Sequence, residues 1–236
     1  METDMSPSEG AASALIITFA HDLRQPLRSM VMAAQRIQRK STEISDETRE
    51  KLDEILAAAR KQDELIASVV EYDQALQVGD DSPLALRLTL QTACMKVDAF
   101  RKQKQGAIHV DTEAVPRVLA PTGLGRVLEK VLHNSLKFHA PENIPRVELE
   151  ISEDEPGIVG IRVSDNGIGI EPQYREVVFE PFKRLNPASD YPGSGLGLSI
   201  CRRLMDTMQG TIRLDGGRNG SGVMVSIGFP RLEIAN

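Results

Sequence analysis

The stretch Val163-Ser164-Asp165-Asn166-Gly167-Ile168-Gly169-Ile170, followed by Gly193-Ser194-Gly195-Leu196-Gly197-Leu198-Ser199-Ile200, decides the fold that this sequence predicts. The first segment is an apolar strand that ends in an acidic residue and a glycine turn. The second is a glycine cluster that opens a helix. Glycine lets a backbone approach a ligand closely, and a helix N-terminus offers unpaired N–H groups that suit phosphate. Together the segments predict a nucleotide held at both ends, with Asp165 accepting a hydrogen bond from the amino group of the base.

The composition is that of an ordinary globular chain with a mostly aliphatic core. The 236 residues are 41% hydrophobic and 4% aromatic, which suits one large domain or two small ones. The formal net charge of −6 argues against a general nucleic-acid binder. Cys94 and Cys201 have no metal-ligand spacing and favour a reducing cytoplasm. The apolar run 11–20 is shorter than the ~20 residues of a membrane helix, so we expect neither a membrane segment nor a signal peptide.

The N-terminal third predicts a helical hairpin over 9–78, preceded by a disordered segment over 1–8. A helix over about 8–39 carries an apolar stripe at steps of three or four residues, formed by Leu15, Phe19, Leu23, Leu27, Met30, Ala34 and Ile37. A second helix, capped by Ser45, runs to about Gln77, with its own stripe at Leu52, Ile55, Leu56, Ala59, Ile66, Val69 and Leu76. One hairpin cannot bury both stripes, so we expect a homodimer built on a four-helix bundle.

A Gly-Asp-Asp-Ser-Pro linker at 79–83 separates this hairpin from a domain of mixed strands and helices over 84–231. We predict helices over 89–105, over 122–139 and from the second glycine cluster to about Met208. Predicted strands lie at 84–88, 108–110, 117–119, 147–152, 158–163, 211–214 and 223–229. This order predicts an α/β sandwich in which helices cover one sheet, so the fold class of the whole chain is α+β.

His21 lies in the middle of the first helix, two positions from both Phe19 and Leu23. At 100° per residue it points away from the apolar stripe, so we expect it to be exposed. Asp22 could orient the ring and accept its proton, which leaves a nucleophilic nitrogen, and Gln25 follows one turn later. A lone surface histidine is the ordinary alternative, but Pro26, which should kink the helix just beyond His21, makes the segment less ordinary.

Two further segments carry groups suited to a phosphate ligand. Asn134 and Lys137 share a helix face at i, i+3, where an amide oxygen can ligate Mg²⁺ and an ammonium group can contact phosphate. The loop over 178–187 has two prolines and two aromatic residues without a regular period. It predicts a loop that closes over a ligand, with Lys183 or Arg184 reaching a terminal phosphate. A solvated polar face and an ordinary basic loop are the respective alternatives.

In this order, the segments resemble the sensor histidine kinases of two-component systems. Residues 20–27 resemble the H-box, 133–138 the N-box and 165–169 the G1 box. Residues 179–185 resemble the F-box, and 193–197 resemble the G2 box. The five motifs span nearly the whole chain, and the loop with Asp190-Tyr191-Pro192-Gly193 is most similar to the phytochrome-like branch.

The resemblance implies a dimerisation and phosphotransfer hairpin joined to a Bergerat-type ATP-binding domain. It implies that ATP phosphorylates His21 with Asp22 and Gln25 beside it, and that the phosphoryl group passes to the receiver domain of a response regulator. Asn134 would ligate Mg²⁺ and Asp165 would contact adenine. The remaining nucleotide-binding positions that it implies are Lys137, Gly167, Gly169, Phe182, Lys183, Arg184, Gly193, Gly195, Leu196 and Gly197.

Two positions depart from the family pattern, and two other functions stay open at this point. Gln25 stands where the family usually has Thr or Asn, which bears on phosphatase activity, and Lys130 stands where many N-boxes carry an earlier Asn. One alternative is a dimeric phosphotransfer relay with a degenerate ATP-binding domain, against which the intact Asn134 and Asp165 argue. Another is a nucleotide-dependent interaction module or anti-sigma kinase, against which the proline-kinked helix with His21 argues.

Overall fold

The computed structural model describes residues 7–40, 44–75, 83–111, 115–153, 155–187, 190–217 and 220–233. The chain divides into two compact units, Met1–Gln74 and Ala75–Asn236. Residues 1–6, part of the segment predicted to be disordered, and 79–82 of the predicted linker lie outside the described residues. Residues 7 and 8, for which we predicted disorder, belong to the first helix.

The first unit is a hairpin of two long helices, α1 (Pro7–Lys40) and α2 (Asp46–Gln74). Helix α1 continues through Pro26 without ending. Ser45 caps α2 as predicted, because its hydroxyl accepts a hydrogen bond from the Thr48 N–H at 3.2 Å. The helices pack through two clusters of buried side chains: Ala20, Leu27, Ala59 and Ile66 in one, and Ala34, Leu52 and Leu56 in the other.

Only part of the apolar stripe predicted for α1 packs against α2, as expected if one hairpin cannot bury both stripes. Leu27 and Ala34 are buried, but five members of the stripe are exposed: Leu15, Phe19, Leu23, Met30 and Ile37. The buried line instead repeats every seven residues through Ser13, Ala20, Leu27 and Ala34, because one neighbouring helix covers only a narrow seam of α1. A single hairpin therefore leaves a second apolar face of α1 uncovered.

The second unit contains a five-stranded sheet with the order β2-β4-β5-β7-β6. Its strands are β2 (Ala107–Val110), β4 (Arg146–Ser152), β5 (Ile158–Asp165), β6 (Thr211–Gly216) and β7 (Val223–Pro230). β2 and β4 are parallel and the other neighbours are antiparallel, which confirms the predicted 147–163 hairpin and the final strand pair. A smaller sheet joins β1 (Leu84–Ala85), β3 (Val118–Ala120) and β8 (Leu232–Glu233), of which β8 was not predicted.

The second unit has three helices: α3 (Leu86–Gln103), α4 (Leu124–Lys137) and α5 (Gly197–Thr207). Helices α4 and α5 pack on the larger sheet, and α3 packs on α4 and on the smaller sheet. The strand predicted over 84–88 is corrected, because Leu86 and Leu90 are buried at helical spacing and α3 begins at Leu86. Inward side chains of the strands alternate with more exposed ones, as in Val147, Leu149 and Ile151 of β4. The predicted order, a helical hairpin followed in the chain by an α/β sandwich, is thus confirmed.

Two short 3₁₀ helices, Pro172–Tyr174 and Val177–Phe179, lie in the long connection between β5 and α5. This connection carries both glycine clusters and is the part of the fold that shapes the candidate site. Among the helices of the described residues, none combines the length and the apolarity that crossing a membrane requires.

Candidate functional site

His21 is a highly exposed side chain on α1, as the helix geometry predicted. Its side chain is 79% exposed and that of Asp22 is 65% exposed, with 3.4 Å between His21 Nδ1 and Asp22 Oδ1. When Nδ1 carries the proton and donates it to this carboxylate, the lone pair of Nε2 points to solvent. The pair thus presents an oriented nitrogen nucleophile.

A groove of about 540 Å³ opens beside His21 between the two helices of the hairpin. Its α1 wall includes Gln25, Arg28 and Met32, and Val70 contributes from α2. Arg24 crosses from the same wall to α2, where its Nε donates to Asp63 Oδ1 at 3.0 Å. The groove lies on a different side of α1 from the uncovered apolar face, since Gln25, Arg28 and Met32 follow His21 at i+4, i+7 and i+11.

Asp165 ends β5 and is held by donors from three parts of the second unit. Its Oδ1 accepts hydrogen bonds from the backbone N–H groups of Gly167 and Val223, each at 3.0 Å, and the Ser135 hydroxyl of α4 donates to the same carboxylate. Burial raises the pKa of Asp165, and these hydrogen bonds oppose the rise. The roles of Ser135 and Val223 were missed, because a backbone N–H has no sequence signature and Ser135 follows Asn134 as an ordinary helix residue.

The first glycine turn lies directly on the C-terminal end of α4. The Ile168 N–H donates to the Phe138 carbonyl at 2.9 Å, and a Cβ built on Gly167 would lie 2.3 Å from that same oxygen. Only glycine fits this approach, which explains why the turn after Asp165 requires it.

The second glycine cluster faces Asn134 and Lys137. A Cβ on Gly193 would lie 2.8 Å from Lys137 Nζ, and one on Gly197 would lie 3.9 Å from Asn134 Nδ2. Since α5 begins at Gly197, the amide and the ammonium group lie beside a helix N-terminus, where anions are favoured. The structure therefore brings together the polar face of α4 and the glycine cluster, which are about 60 residues apart in sequence.

The two basic residues of the loop between the glycine clusters, Lys183 and Arg184, have different kinds of partner. Lys183 pairs with Glu180 at 3.4 Å between Nζ and Oε2, and Phe182 is exposed with a positive φ of 64°. Arg184 donates to the carbonyls of Gly193 at 2.7 Å and of Tyr191 at 2.9 Å. In this structure the Arg184 guanidinium group thus binds the loop itself, while its contact with a phosphate stays a prediction.

The donor set suits a metal ion that is bound mainly by a nucleotide. Within the described ranges, no cluster of three or more His, Cys, Asp or Glu side chains could hold a metal by itself. Mg²⁺ usually keeps few protein ligands and completes its shell with phosphates and water. Asn134, beside the proposed phosphate end of the site, fits that role.

Comparison with known proteins places each unit in a described family. The profile of "His Kinase A (phospho-acceptor) domain" matches residues 12–76, and that of "Histidine kinase-, DNA gyrase B-, and HSP90-like ATPase" matches residues 120–233. The solved structure of full-length ShkA in complex with AMPPNP superposes with a TM-score of 0.70 at 25% identity, covering 94% of this chain and 47% of that one.

Curated relatives are similar over most of the chain. The phytochrome-like protein Cph1 of Synechocystis sp. is 29% identical over 83% of this chain, and the sensor protein ChvG of Agrobacterium fabrum is 28% identical over 89%. The chain spans 26% and 37% of the length of these two relatives.

Proposed function

The chain belongs to the sensor histidine kinases of two-component systems, and on that premise we propose that it transfers the γ-phosphoryl group of ATP to His21 and then to an aspartate of a response regulator. In this proposal, residues 9–78 form the dimerisation and phosphotransfer hairpin and 84–231 bind ATP. We place the reaction in the cytoplasm, where ATP is available and where thiols such as those of Cys94 and Cys201 stay reduced.

The observation that carries the proposal is the grouping of Asp165, Asn134 and Lys137 around two glycine clusters in one unit. Asp165 offers a carboxylate to the amino group of adenine at one end. Lys137 and the α5 N-terminus offer positive charge to phosphates at the other. A phosphotransfer relay would need neither end, so this arrangement argues against a degenerate ATP-binding domain.

The phosphoryl transfer follows from the chemistry of the His21 ring. The Nε2 lone pair attacks the γ-phosphorus, the new P–N bond forms as the bond to the bridging oxygen breaks, and ADP leaves with the electron pair. Asp22 holds the proton on Nδ1 and stabilises the positive charge that the ring acquires. Gln25, which lines the groove one turn further on, is the amide nearest in sequence for orienting a water in dephosphorylation.

Mg²⁺, when bound with ATP, neutralises negative charge on the phosphates. We propose Asn134 as its protein ligand, with the remaining positions taken by phosphate oxygens and water. Lys137 would bind phosphate beside it. Gly193, Gly195 and Gly197 would let the backbone approach the phosphate chain.

The proposed reaction is tested by comparing ATP labelled on the γ-phosphate with ATP labelled on the α-phosphate, each with Mg²⁺. We expect the chain to take up the γ-label alone, because only the terminal group is transferred. Absence of γ-label from a folded, nucleotide-bound chain would contradict kinase activity, and uptake of α-label would indicate a different transferase.

We propose that the uncovered apolar face of α1 forms the homodimer. Phe19 and Leu23 lie on it, 58% and 53% exposed, beside the face that packs on α2. Replacing both with Asp should raise the dimer dissociation constant at least about a thousand-fold, since each buried side chain of this size contributes about 1.5–3 kcal/mol and the change removes two of them from each protomer. Sedimentation measures this, with Met95→Asp, a residue 76% exposed in the other unit, as the control. A wild-type chain that is monomeric at micromolar concentration would contradict the bundle.

We propose that the groove beside His21 receives the response regulator. Arg28 offers positive charge to an acidic receiver surface, and Met32, 62% exposed, offers an adaptable apolar contact. Arg28→Glu and Met32→Asp should each slow transfer from phosphorylated His21 to the regulator about ten-fold while phosphorylation by ATP stays nearly intact.

Rapid-quench transfer from prephosphorylated protein measures the docking effect separately from the ATP reaction. Arg49→Glu, an equally charged change near the far end of the hairpin, is the matched control. Normal transfer rates in both groove variants would place the docking surface elsewhere, most simply on α2.

A further inference from the structure

Among the described residues of the loop between the two glycine clusters, Tyr191 contacts the end of α4. Its hydroxyl donates to the His139 carbonyl at 2.9 Å. Its ring packs against Phe138, with 5.1 Å between the ring centroids and 38° between the planes. In the sequence, Tyr191 belongs to the segment that resembles the phytochrome-like branch, and the resemblance implies no role for it.

Arg184 joins separate parts of the same loop through hydrogen bonds. Its two terminal nitrogens donate to the carbonyls of Gly193 and Tyr191, at 2.7 and 2.9 Å, and the Tyr191 N–H donates to the Pro187 carbonyl at 3.2 Å. Gly195, with a φ of +74°, lets the chain pass within reach of Phe182 and Arg184, where a Cβ would lie 3.0 Å from the Phe182 carbonyl carbon. These contacts join the described parts of the loop to one another, and Tyr191 attaches them to α4.

Phe138 and His139, the two residues that Tyr191 contacts, connect both ends of the proposed nucleotide site. Phe138 and His139 are consecutive residues after α4, and the Phe138 carbonyl holds the first glycine turn through the Ile168 N–H. The His139 carbonyl holds the loop through Tyr191. Lys137 immediately precedes them, with its Nζ 4.5 Å from the centroid of the Phe138 ring and next to Gly193.

We infer that Tyr191 is a positioning residue that latches the loop over the bound nucleotide and holds Gly193 beside Lys137. It touches neither the base nor the phosphates in this role. Release of the latch frees the loop to swing away from the phosphate end, so bound nucleotide leaves faster. The inference rests on the proposed nucleotide site, but the order of the loop can be measured without any nucleotide.

The experiment uses the full chain and three variants. Tyr191→Phe removes only the hydroxyl, Tyr191→Ala also removes the ring, and Tyr174→Phe removes a hydroxyl from the exposed Tyr174 of the 3₁₀ helix. Hydrogen–deuterium exchange of the peptide over 183–196 is followed in nucleotide-free protein, and the dissociation rate of mant-ATP is followed by stopped flow. Melting curves of each variant verify folding.

Tyr191→Phe should accelerate both exchange of the loop and mant-ATP dissociation about five-fold, the factor that one net hydrogen bond contributes. Tyr191→Ala should accelerate both further, and Tyr174→Phe should match the wild type. In the phosphorylation assay the KM for ATP should rise while kcat changes less than two-fold, because the latch acts on retention and not on the reacting atoms.

Values within two-fold of the wild type in Tyr191→Phe would overturn the latch, even if Tyr191→Ala accelerates exchange, because the ring alone would then explain the effect as packing. Failure of the wild-type chain to bind mant-ATP would overturn the proposed function instead. In that case the exchange of the nucleotide-free loop still decides whether Tyr191 fastens it.

Discussion

Replacing His21 with Gln is expected to abolish phosphorylation of the chain by ATP, with a loss of at least a thousand-fold, because the only oriented ring nitrogen on the hairpin is removed. ATP affinity should stay within two-fold of the wild type, since His21 and the nucleotide site belong to separate units of the chain. Labelling with γ-labelled ATP measures the first quantity and calorimetry measures the second.

The other histidines provide the control for this prediction. His133 stacks on Phe100 with 4.4 Å between the ring centroids, and His139 Nδ1 lies 2.8 Å from the Ala140 carbonyl. His109 is an exposed side chain on β2, so His109→Gln removes an accessible imidazole outside the proposed site and should leave labelling unchanged. Labelling that survives in His21→Gln would reject His21 as the phosphoacceptor.

Replacing Asp165 with Asn is expected to weaken ATP binding about ten- to hundred-fold, the range for a hydrogen bond to a charged group. The amide oxygen can still accept from Gly167 and Val223, but the amide nitrogen then meets the amino group of adenine as donor against donor. The thermal midpoint should stay equal or rise. Burial raises the pKa of Asp165 in the folded chain. The free energy of unfolding therefore falls as pH rises from the unfolded-state pKa of this group to its folded-state pKa, and Asn, which does not ionise, removes this loss of stability.

The raised pKa of Asp165 also sets the pH dependence of binding. Only the ionised carboxylate accepts well from adenine, so affinity should be full above the folded-state pKa and should fall as pH drops through it. This fall begins at a higher pH than an ordinary aspartate would give, and it is absent in Asp165→Asn. Asp215→Asn, an exposed change on β6, is the control. Unchanged ATP affinity in Asp165→Asn would exclude contact with the base.

Local patterns predicted the hairpin, the capped start of α2 and the helix after the second glycine cluster, because caps, glycines and helical periodicity act within a few residues. The prediction of a strand over 84–88 was wrong because it used only such a local pattern. Leu84, Leu86 and Leu88 alternate as in a strand, whereas Leu86, Leu90, Ala93 and Val97 have the helical spacing that burial against the sheet selects. The stripe of α1 is apolar as predicted, but periodicity does not show which neighbouring helix covers each part of it.

The candidate site was predictable where the chemistry lies in side chains and was not where it lies in the backbone. Asp165, Asn134 and Lys137 carry recognisable groups, but their convergence depends on how α4 packs across the sheet. The Val223 N–H reaches Asp165 only because β7 pairs with β5. Tyr191 contacts the end of α4 across about fifty residues of sequence, which periodicity cannot reveal.

The chemical nature and position of the phosphoryl linkage test the central claim most directly. The chain is incubated with γ-labelled ATP and Mg²⁺, treated with acid or base, and digested with trypsin. Cleavage after Arg24 releases residues 1–24, a peptide whose only histidine is His21. The account predicts label that is lost in acid, retained in base and confined to this peptide. Acid-stable label, base-labile label, or label in any other peptide would contradict phosphorylation of His21.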